Sequence, residues 1–205
     1  MRVVFIGIGA EQMSVEILAG MLEREGHDVH LAFTPALFDD RYNLTMPALA
    51  RLFDEDDAVI ERAVGLRPDI IAMSVLTNTY QWGLKVAGAV RARTGAKVIF
   101  GGVHPSAVPE VVLAEDVVDA ICVGEGDRAF PAWLRALADN EPDRPVANIR
   151  SKRADGSIVQ GPTAAFEQDL DSLPFPDKRL YEDHFEIRDM YMTITGRGCA
   201  YQCTF

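Results

Sequence analysis

Short apolar runs alternate along the chain with longer segments in which apolar residues recur every three or four positions. Val3–Ile8 is a continuous apolar run, as in a buried parallel strand, and Ser14–Glu25 keeps its apolar residues on one helical face before Gly26. Similar runs predict strands at His27–Phe33, Asp69–Val75, Ala96–Phe100 and Ala120–Val123. Similar periodicity predicts helices at Pro47–Phe53, Asp54–Val64, Thr79–Arg93, Pro109–Ala114 and Asp127–Ala138, with a loop over Thr34–Thr45.

This alternation of strand and helix predicts the fold class. Strands that are separated by helices form an open parallel sheet with helices on both faces. We therefore expect residues 1–140 to form a five-stranded, doubly wound α/β domain of the flavodoxin-like or Rossmann-like kind.

The pattern changes after this domain. Asn148–Lys152 and Ser157–Val159 flank an Asp-Gly turn and predict a small β-hairpin, and the proline-rich stretch Asp169–Asp177 predicts a linker, both within residues 141–188. Asp189–Thr195 then predicts a fresh strand that opens a third region, residues 189–205. Nothing after this strand can pair with it, so we expect the chain to be a piece of a longer protein.

Composition narrows the classes of function. The chain has 205 residues, a net charge of −11 and 48% hydrophobic residues, which indicates a folded globular protein and disfavours a nucleic-acid binder. No apolar stretch approaches the roughly 18 residues that a membrane span needs. The three cysteines are Cys122, Cys199 and Cys203, and this odd number favours a reduced, cytoplasmic protein.

Four loops are expected to meet where the parallel strands end. Ligands of open parallel sheets bind beyond the carboxyl ends of the strands. The loops are rich in glycine or small hydroxyl residues, and they are Gly7–Ser14, Ser74–Thr79, Gly101–Ser106 and Gly124–Asp127. Each loop alone could use these residues for turn geometry only, but together they favour a broad, mostly neutral ligand site.

Two common ligands are disfavoured. Gln12 stands where a dinucleotide fingerprint has its third glycine, and no acidic residue closes the second strand. No Gly-Lys-Ser/Thr follows Gly101–Gly102, which disfavours a nucleoside triphosphate. His104 could hydrogen-bond a ligand amide, ligate a metal or fill a polar role in the loop. Glu125 could contact a ligand, or it could have the purely structural role of a carboxylate that precedes a helix and accepts from backbone donors. Cys122 lies in an apolar strand and is expected to be a buried, inert thiol.

Cys199 and Cys203 follow a Gly-Arg-Gly turn. Two thiols are too few for a cluster, but a cysteine at position 206 would give three thiolates for a 4Fe-4S cluster with one open iron. The segment Thr195–Phe205 resembles the opening of a radical S-adenosylmethionine domain, and Asp169–Asp177 is similar to the linker that precedes such a domain. Gly101–Pro105 and Val123–Gly126 resemble strand-end motifs of cobalamin-binding domains.

The resemblance implies a B12-dependent radical enzyme. Cobalamin would lie on the sheet where the strands end and face a barrel, and in the full-length protein a 4Fe-4S cluster and S-adenosylmethionine would lie in that barrel. In methyltransferases of this class the corrin carries a methyl group from S-adenosylmethionine to a substrate carbon, while cyclases share the architecture. The fragment alone would be inactive, because the barrel and the third cysteine are missing.

The first loop departs from the family pattern. Many cobalamin-binding domains carry Asp-x-His-x-x-Gly there, whereas Gly7–Ser14 contains no histidine. We therefore expect base-off cobalamin without a histidine on the cobalt. The residues expected to contact cobalamin, chosen by strand-end position and motif, are Gly9, Ser14, Ser74, Leu76, Thr77, Gly101, Gly102, Val103, His104, Gly124 and Glu125.

A non-catalytic, flavodoxin-like binding or regulatory module is the alternative. A receiver domain fits poorly, because Ile6–Gly9 and Ser74–Thr77 lack the acidic residues that receivers need. A flavin domain has mild support from the loop Leu76–Thr79. A cysteine at position 206 followed by further β-α pattern would favour the enzyme, and a stop codon would favour the module.

Overall fold

The computed structural model describes residues 1–36, 39–40, 44–184 and 191–198, and a seven-stranded sheet forms its centre. The strands of the chain are β1 (Arg2–Ile8), β2 (Asp28–Thr34), β3 (Asp39–Asp40), β4 (Leu44–Thr45), β5 (Ile70–Ser74), β6 (Lys97–Gly101), β7 (Ala120–Cys122), β8 (Ile149–Lys152) and β9 (Ile158–Gln160). The large sheet has the order β2-β1-β5-β6-β7-β8-β9, while β3 and β4 form a short antiparallel ladder in the expected loop.

The parallel part of the sheet is doubly wound, as the pattern predicted. Strands β1, β2, β5, β6 and β7 run parallel to their neighbours. The chain passes from β1 outward to β2 and then returns to the other side of β1 with β5, so the direction of strand addition reverses between β1 and β5. A ligand crevice opens at such a reversal in flavodoxin-like sheets.

Helices cover both faces of the sheet. They are α1 (Met13–Arg24), α2 (Pro47–Leu52), α3 (Asp56–Gly65), α4 (Tyr80–Thr94), α5 (Val103–Ala107), α6 (Pro109–Ala114) and α7 (Ala129–Ala138). One core joins α1 and α7 to alternate residues of the strands, and a second joins α3, α4 and α6 to the residues between them. Side chains alternate between the faces of a strand, so the continuous apolar runs fill both cores.

The hairpin changes the strand count. We expected a five-stranded sheet followed by a separate hairpin, but β8 pairs antiparallel with β7, and β9 pairs with β8, so the sheet has seven strands. Ile149 and Ser151 of β8 are buried, so one side of the strand packs on the core. The hairpin thereby covers the edge of β7, whose backbone groups would otherwise lack partners.

Two 3-10 turns, Leu170–Ser172 and Lys178–Tyr181, carry the linker back across the domain. Tyr181 is fully buried and packs edge-on against Phe33, with ring centroids 5.5 Å apart. The strand expected at Asp189–Thr195 is wrong for its described part, because residues 191–195 have no strand structure. A strand needs a ladder partner, and among the described residues none pairs with this segment. No helix among the described residues is long and apolar enough to cross a membrane.

Candidate functional site

The loops after β5 and β6 meet in close backbone contact at the carboxyl edge, the side of the sheet where the parallel strands end. The Val75 N–H donates to the Gly101 carbonyl at 2.8 Å, and the His104 N–H donates to the Val75 carbonyl at 3.2 Å. Gly102 lies between them with φ +99° and ψ −167°, a conformation that is essentially restricted to glycine. A Cβ at Gly102 would lie 2.9 Å from the Val75 carbonyl oxygen, so this glycine permits the close approach.

His104 is held by side chains of the β5–α4 region. Its Nδ1 lies 3.1 Å from the Thr77 hydroxyl, and its ring lies 4.3 Å from the Tyr80 ring, centroid to centroid. The Nε2 atom is buried and has no hydrogen-bond partner among the described residues. A buried imidazole nitrogen without a partner is costly, so this atom can bond a ligand at the edge.

Gln12 is a second polar residue at the edge, which sequence reasoning did not select. It precedes the first residue of α1, and its Nε2 donates to the Ser74 carbonyl at 3.3 Å, which joins the loops on the two sides of the strand-order reversal. The Oε1 atom is buried and has no partner among the described residues. Its position just before the helix that follows β1 was the available signal.

Ser106, also missed, connects the loops after β6 and β7. Its hydroxyl donates to the Gly102 carbonyl at 2.8 Å and accepts from the Gly124 N–H at 3.0 Å. We expected Gly101–Ser106 to be a loop, but Val103–Ala107 forms the short helix α5, so Val103 and His104 lie on its first turn. The helix places the Ser106 hydroxyl one turn beyond Gly102, within reach of that carbonyl.

The rim of the edge combines small residues with exposed apolar ones. Leu76 is 46% exposed and Val103 is 66% exposed, although both are aliphatic. Gly9, Ser14, Thr77 and Gly124 are also exposed, whereas Ser74, Gly101 and Gly102 are half-buried. Exposed aliphatic side chains beside accessible backbone suit a large, largely neutral ligand with polar groups at its periphery.

Glu125 is engaged within the chain. Its Oε2 accepts from the Glu167 N–H at 2.7 Å, and its carbonyl accepts from Asn148 Nδ2 at 3.1 Å. This carboxylate therefore anchors the linker, and its role towards a ligand stays a prediction. Cys122 is buried as expected, and burial raises the pKa of its thiol to about 12, which favours the unreactive protonated form.

A buried charge cluster joins the β1–α1 region to the linker. Lys178 Nζ donates to Glu16 Oε2 at 2.8 Å and also bonds Glu11. Burial, together with the neighbouring Glu11 carboxylate, raises the pKa of Glu16 to about 7. Hydrogen bonds to Glu16 and Lys178 outweigh burial at Glu11 and lower its pKa. The cluster fixes the linker beside the first ligand loop.

Glu16→Gln is expected to remove a pH dependence of stability. Glu16 ionises near 4.5 when unfolded and near 7 when folded, so the free energy of unfolding falls as pH rises between these values. Glutamine does not titrate and still accepts from Lys178. As the pH rises from 4.5 to 7, the free energy of unfolding of the variant should therefore rise by about 3 kcal/mol relative to that of the unchanged protein, which urea unfolding measures.

The matched control for Glu16→Gln is Glu23→Gln, the same substitution at an exposed position on α1. Its stability difference from the unchanged protein should vary little over the same pH interval. A stability difference for Glu16→Gln that stayed constant from pH 4.5 to 7 would contradict the raised pKa of Glu16.

A shallow cleft of about 550 Å³ lies at the opposite edge of the sheet, where Met1, Asp69, Thr94 and Lys97 line it. The amino ends of the strands do not form the crevice at the strand-order reversal, so we assign the candidate site to the carboxyl edge. The structure brings the predicted residues of the loops after β5, β6 and β7 together there, whereas Cys199 and Cys203 lie outside the described residues.

Comparison with known protein sequences shows the family of this chain. Residues 7–134 match the family described as the B12 binding domain. The chain is 24% identical to cytidylyl-2-hydroxyethylphosphonate methyltransferase of Streptomyces wedmorensis, over 92% of this chain and 42% of that protein. It is 25% identical to hopanoid C-3 methylase of Methylococcus capsulatus, over 95% of this chain and 35% of that protein. The chain thus spans less than half of each relative.

Solved structures share the fold. The cobalamin-dependent S-adenosylmethionine radical enzyme OxsB, with aqua-cobalamin and S-adenosylmethionine bound, matches with a TM-score of 0.65 and 17% identity, over 86% of this chain and 24% of that chain. The radical S-adenosylmethionine methyltransferase TsrM of Kitasatospora setae, with cobalamin and a 4Fe-4S cluster bound, matches with a TM-score of 0.60 and 14% identity, over 85% of this chain and 31% of that chain.

Proposed function

The chain belongs to the family of B12-binding domains, and we propose that it holds one cobalamin on the carboxyl edge of its sheet. The observation that carries this proposal is a pair of buried polar atoms at that edge, Gln12 Oε1 and His104 Nε2, for which the described part of the chain offers no hydrogen-bond partner. Corrin rings are rimmed by amide side chains, which both donate and accept hydrogen bonds. The amides can therefore satisfy both atoms, whichever tautomer His104 adopts.

The shape of the edge supports the same ligand. Gly102 allows the backbone at the ends of β5 and β6 to pack closely, because a Cβ at this position would clash with the Val75 backbone. Leu76 and Val103 offer exposed aliphatic contacts beside it. When bound, cobalamin supplies a cobalt that can accept and pass on a methyl group. The residues of this chain bind and orient the corrin by its amides and its apolar face.

We propose further that cobalamin binds base-off with no histidine on the cobalt. The first loop has Gln12 at the start of α1 and no histidine, and the Nε2 atom of His104 is assigned to a corrin amide. The test is electron paramagnetic resonance of the chain loaded with cob(II)alamin. A spectrum without nitrogen superhyperfine splitting is expected, and a resolved splitting from one nitrogen ligand would overturn the proposal.

Val103→Asp is expected to weaken cobalamin binding about 10- to 100-fold. A valine that becomes covered contributes roughly 1.5–3 kcal/mol, and a carboxylate in its place must lose water against the corrin. The dissociation constant is measured by visible absorbance during titration with hydroxocobalamin. Because Val103 is 66% exposed in the free chain, stability should change little.

The matched control for Val103→Asp is Val111→Asp, since Val111 is 55% exposed but lies on α6 outside the four loops. The control should bind hydroxocobalamin as the unchanged chain does. Equal weakening by both substitutions, or by neither, would contradict the placement of the corrin at Val103.

For the longer protein we propose methyl transfer from S-adenosylmethionine by way of the corrin to a substrate carbon. The relatives named as methyltransferase and methylase support this class of activity. Cys199 and Cys203, with a third cysteine beyond this sequence, would hold the 4Fe-4S cluster of that protein. The full-length protein, loaded with reduced cobalamin and incubated with methyl-labelled S-adenosylmethionine, should place the label on the corrin, and an unlabelled corrin would contradict the proposal.

A further inference from the structure

We propose that Asp127 and Arg197 form a latch that fixes the segment leading to Cys199 on the carboxyl edge, beside the corrin site. The latch is the salt bridge between these two side chains, neither of which is among the expected cobalamin contacts. The inference rests on the proposed function only in assigning the corrin to that edge. The latch itself rests on contacts among described residues.

The geometry of the latch is specific. Arg197 Nη1 lies 2.6 Å from Asp127 Oδ2, and Nη2 lies 3.0 Å from Oδ1, so two parallel hydrogen bonds join the groups. The Asp127 side chain is 8% exposed and that of Arg197 is 23% exposed. Bidentate pairing of a guanidinium with a carboxylate fixes orientation as well as distance, and lysine cannot reproduce it.

The charges favour the closed latch. Arg197 is the partner found for the Asp127 carboxylate among the described residues, and Glu125 Oε1 adds a second negative charge 3.6 Å from Arg197 Nη1. If the segment left the edge, Asp127 would exchange this bidentate pair for water, and Arg197 would leave two carboxylates. Charge-assisted, bidentate hydrogen bonds are stronger than bonds between neutral groups, so they favour the docked segment.

The same loop also holds the linker. Glu125 accepts from the Glu167 N–H, and Arg128 donates to Glu167 Oε2 at 2.9 Å and to the Ser172 hydroxyl at 2.9 Å. The Gly124–Asp127 loop thus organises the chain both at the linker and at Arg197, two residues before Cys199 in the sequence. The acidic motif after β7 and the Gly-Arg-Gly turn are therefore complementary halves of one docking contact, and Asp127 and Arg197 are its positioning residues.

The test follows limited chymotrypsin cleavage after Tyr191, at the start of the docked segment, in Asp127→Asn and Arg197→Gln, with the whole chain. Each variant should be cleaved there at least about tenfold faster, because release of the segment no longer breaks the ion pair. The double variant should be cleaved no faster than the single ones, and Arg197→Lys should fall between Arg197→Gln and the unchanged chain. Asp139→Asn, which breaks an exposed pair with Arg144 at the other end of α7, is the matched control.

The outcomes separate the latch from the cobalamin site. Unchanged cleavage after Tyr191 in Asp127→Asn would overturn the latch, and so would an equal rise of cleavage at every site, which would show a global loss of stability. Hydroxocobalamin titration of Arg197→Gln, a residue outside the four ligand loops, should give a dissociation constant within about twofold of the unchanged chain. Absence of cobalamin binding in every variant and in the unchanged chain would overturn the proposed function and leave the latch standing.

Discussion

Gly102→Ala is expected to abolish cobalamin binding and to lower the free energy of unfolding by about 3–5 kcal/mol. The backbone at Gly102 has φ +99° and ψ −167°, which costs about 1–3 kcal/mol for a residue with a Cβ. The new Cβ would also lie 2.9 Å from the carbonyl oxygen and 3.0 Å from the nitrogen of Val75. Backbone atoms cannot rotate out of the way as a flexible side chain can. The ends of β5 and β6 must therefore separate where the corrin is expected to lie.

Gly95→Ala is the matched control for this substitution. Gly95 ends α4 with φ +72°, and a Cβ there would meet nothing within 4 Å. The cost should be the left-handed strain alone, about 1–2 kcal/mol, with cobalamin binding retained. Urea unfolding and hydroxocobalamin titration measure both effects. Similar losses in the two variants would show that backbone strain, and not close approach at the carboxyl edge, determines the result.

Lys178→Met is expected to lower the free energy of unfolding by about 3–5 kcal/mol at neutral pH. It removes the cation between Glu11 and Glu16 while both carboxylates stay buried. The loss should grow as the pH rises above about 7, the pKa of Glu16 in the unchanged chain, because Lys178 lowers that pKa and its removal raises it further, so that only the variant still protonates Glu16 on folding. Just below that pH Glu16 is protonated in both folded proteins, and the loss should level off. Urea unfolding of the variant and the unchanged chain across this pH range measures the effect.

Two further variants make this second prediction decisive. Lys85→Met removes an exposed ion pair with Asp56, in which the lysine side chain is 64% exposed, and should cost less than about 1 kcal/mol. Adding Glu16→Gln to Lys178→Met should restore part of the stability at neutral pH. A double variant no more stable than Lys178→Met would show that lost packing, and not the uncompensated charge, causes the loss.

Most of the parallel domain could be predicted, because its signals are local. Apolar runs such as Val3–Ile8 fill both faces of a strand, and the Asp-Gly turn at Asp155–Gly156 closes the hairpin as expected. The pairing of β8 with β7 could not be predicted, because a local pattern does not say which edge a hairpin joins. The strand expected at Asp189–Thr195 fails in its described part for the same reason, since apolar alternation cannot supply a partner.

The residues of the candidate site also differ in whether a local sequence signal or a long-range contact marks them. Gly102 and His104 were selected from the sequence because they follow a strand directly, where ligands of parallel sheets bind, and their role towards a ligand stays a prediction. Gln12 and Ser106 were missed because their importance lies in contacts to other loops, with Ser74 and with Gly124. The pair Asp127–Arg197 spans 70 positions, and only the folded chain shows that the two motifs meet.

The central claim is that this chain binds cobalamin at its carboxyl edge. The most direct test is a visible absorbance titration of the purified chain with hydroxocobalamin, run in parallel with Gly102→Ala and with riboflavin 5′-phosphate as a competing ligand class. Saturation at one corrin per chain with a base-off spectrum, lost in Gly102→Ala, is the expected result. No saturable change with hydroxocobalamin up to millimolar concentration, or saturable binding of the flavin instead, would contradict the account.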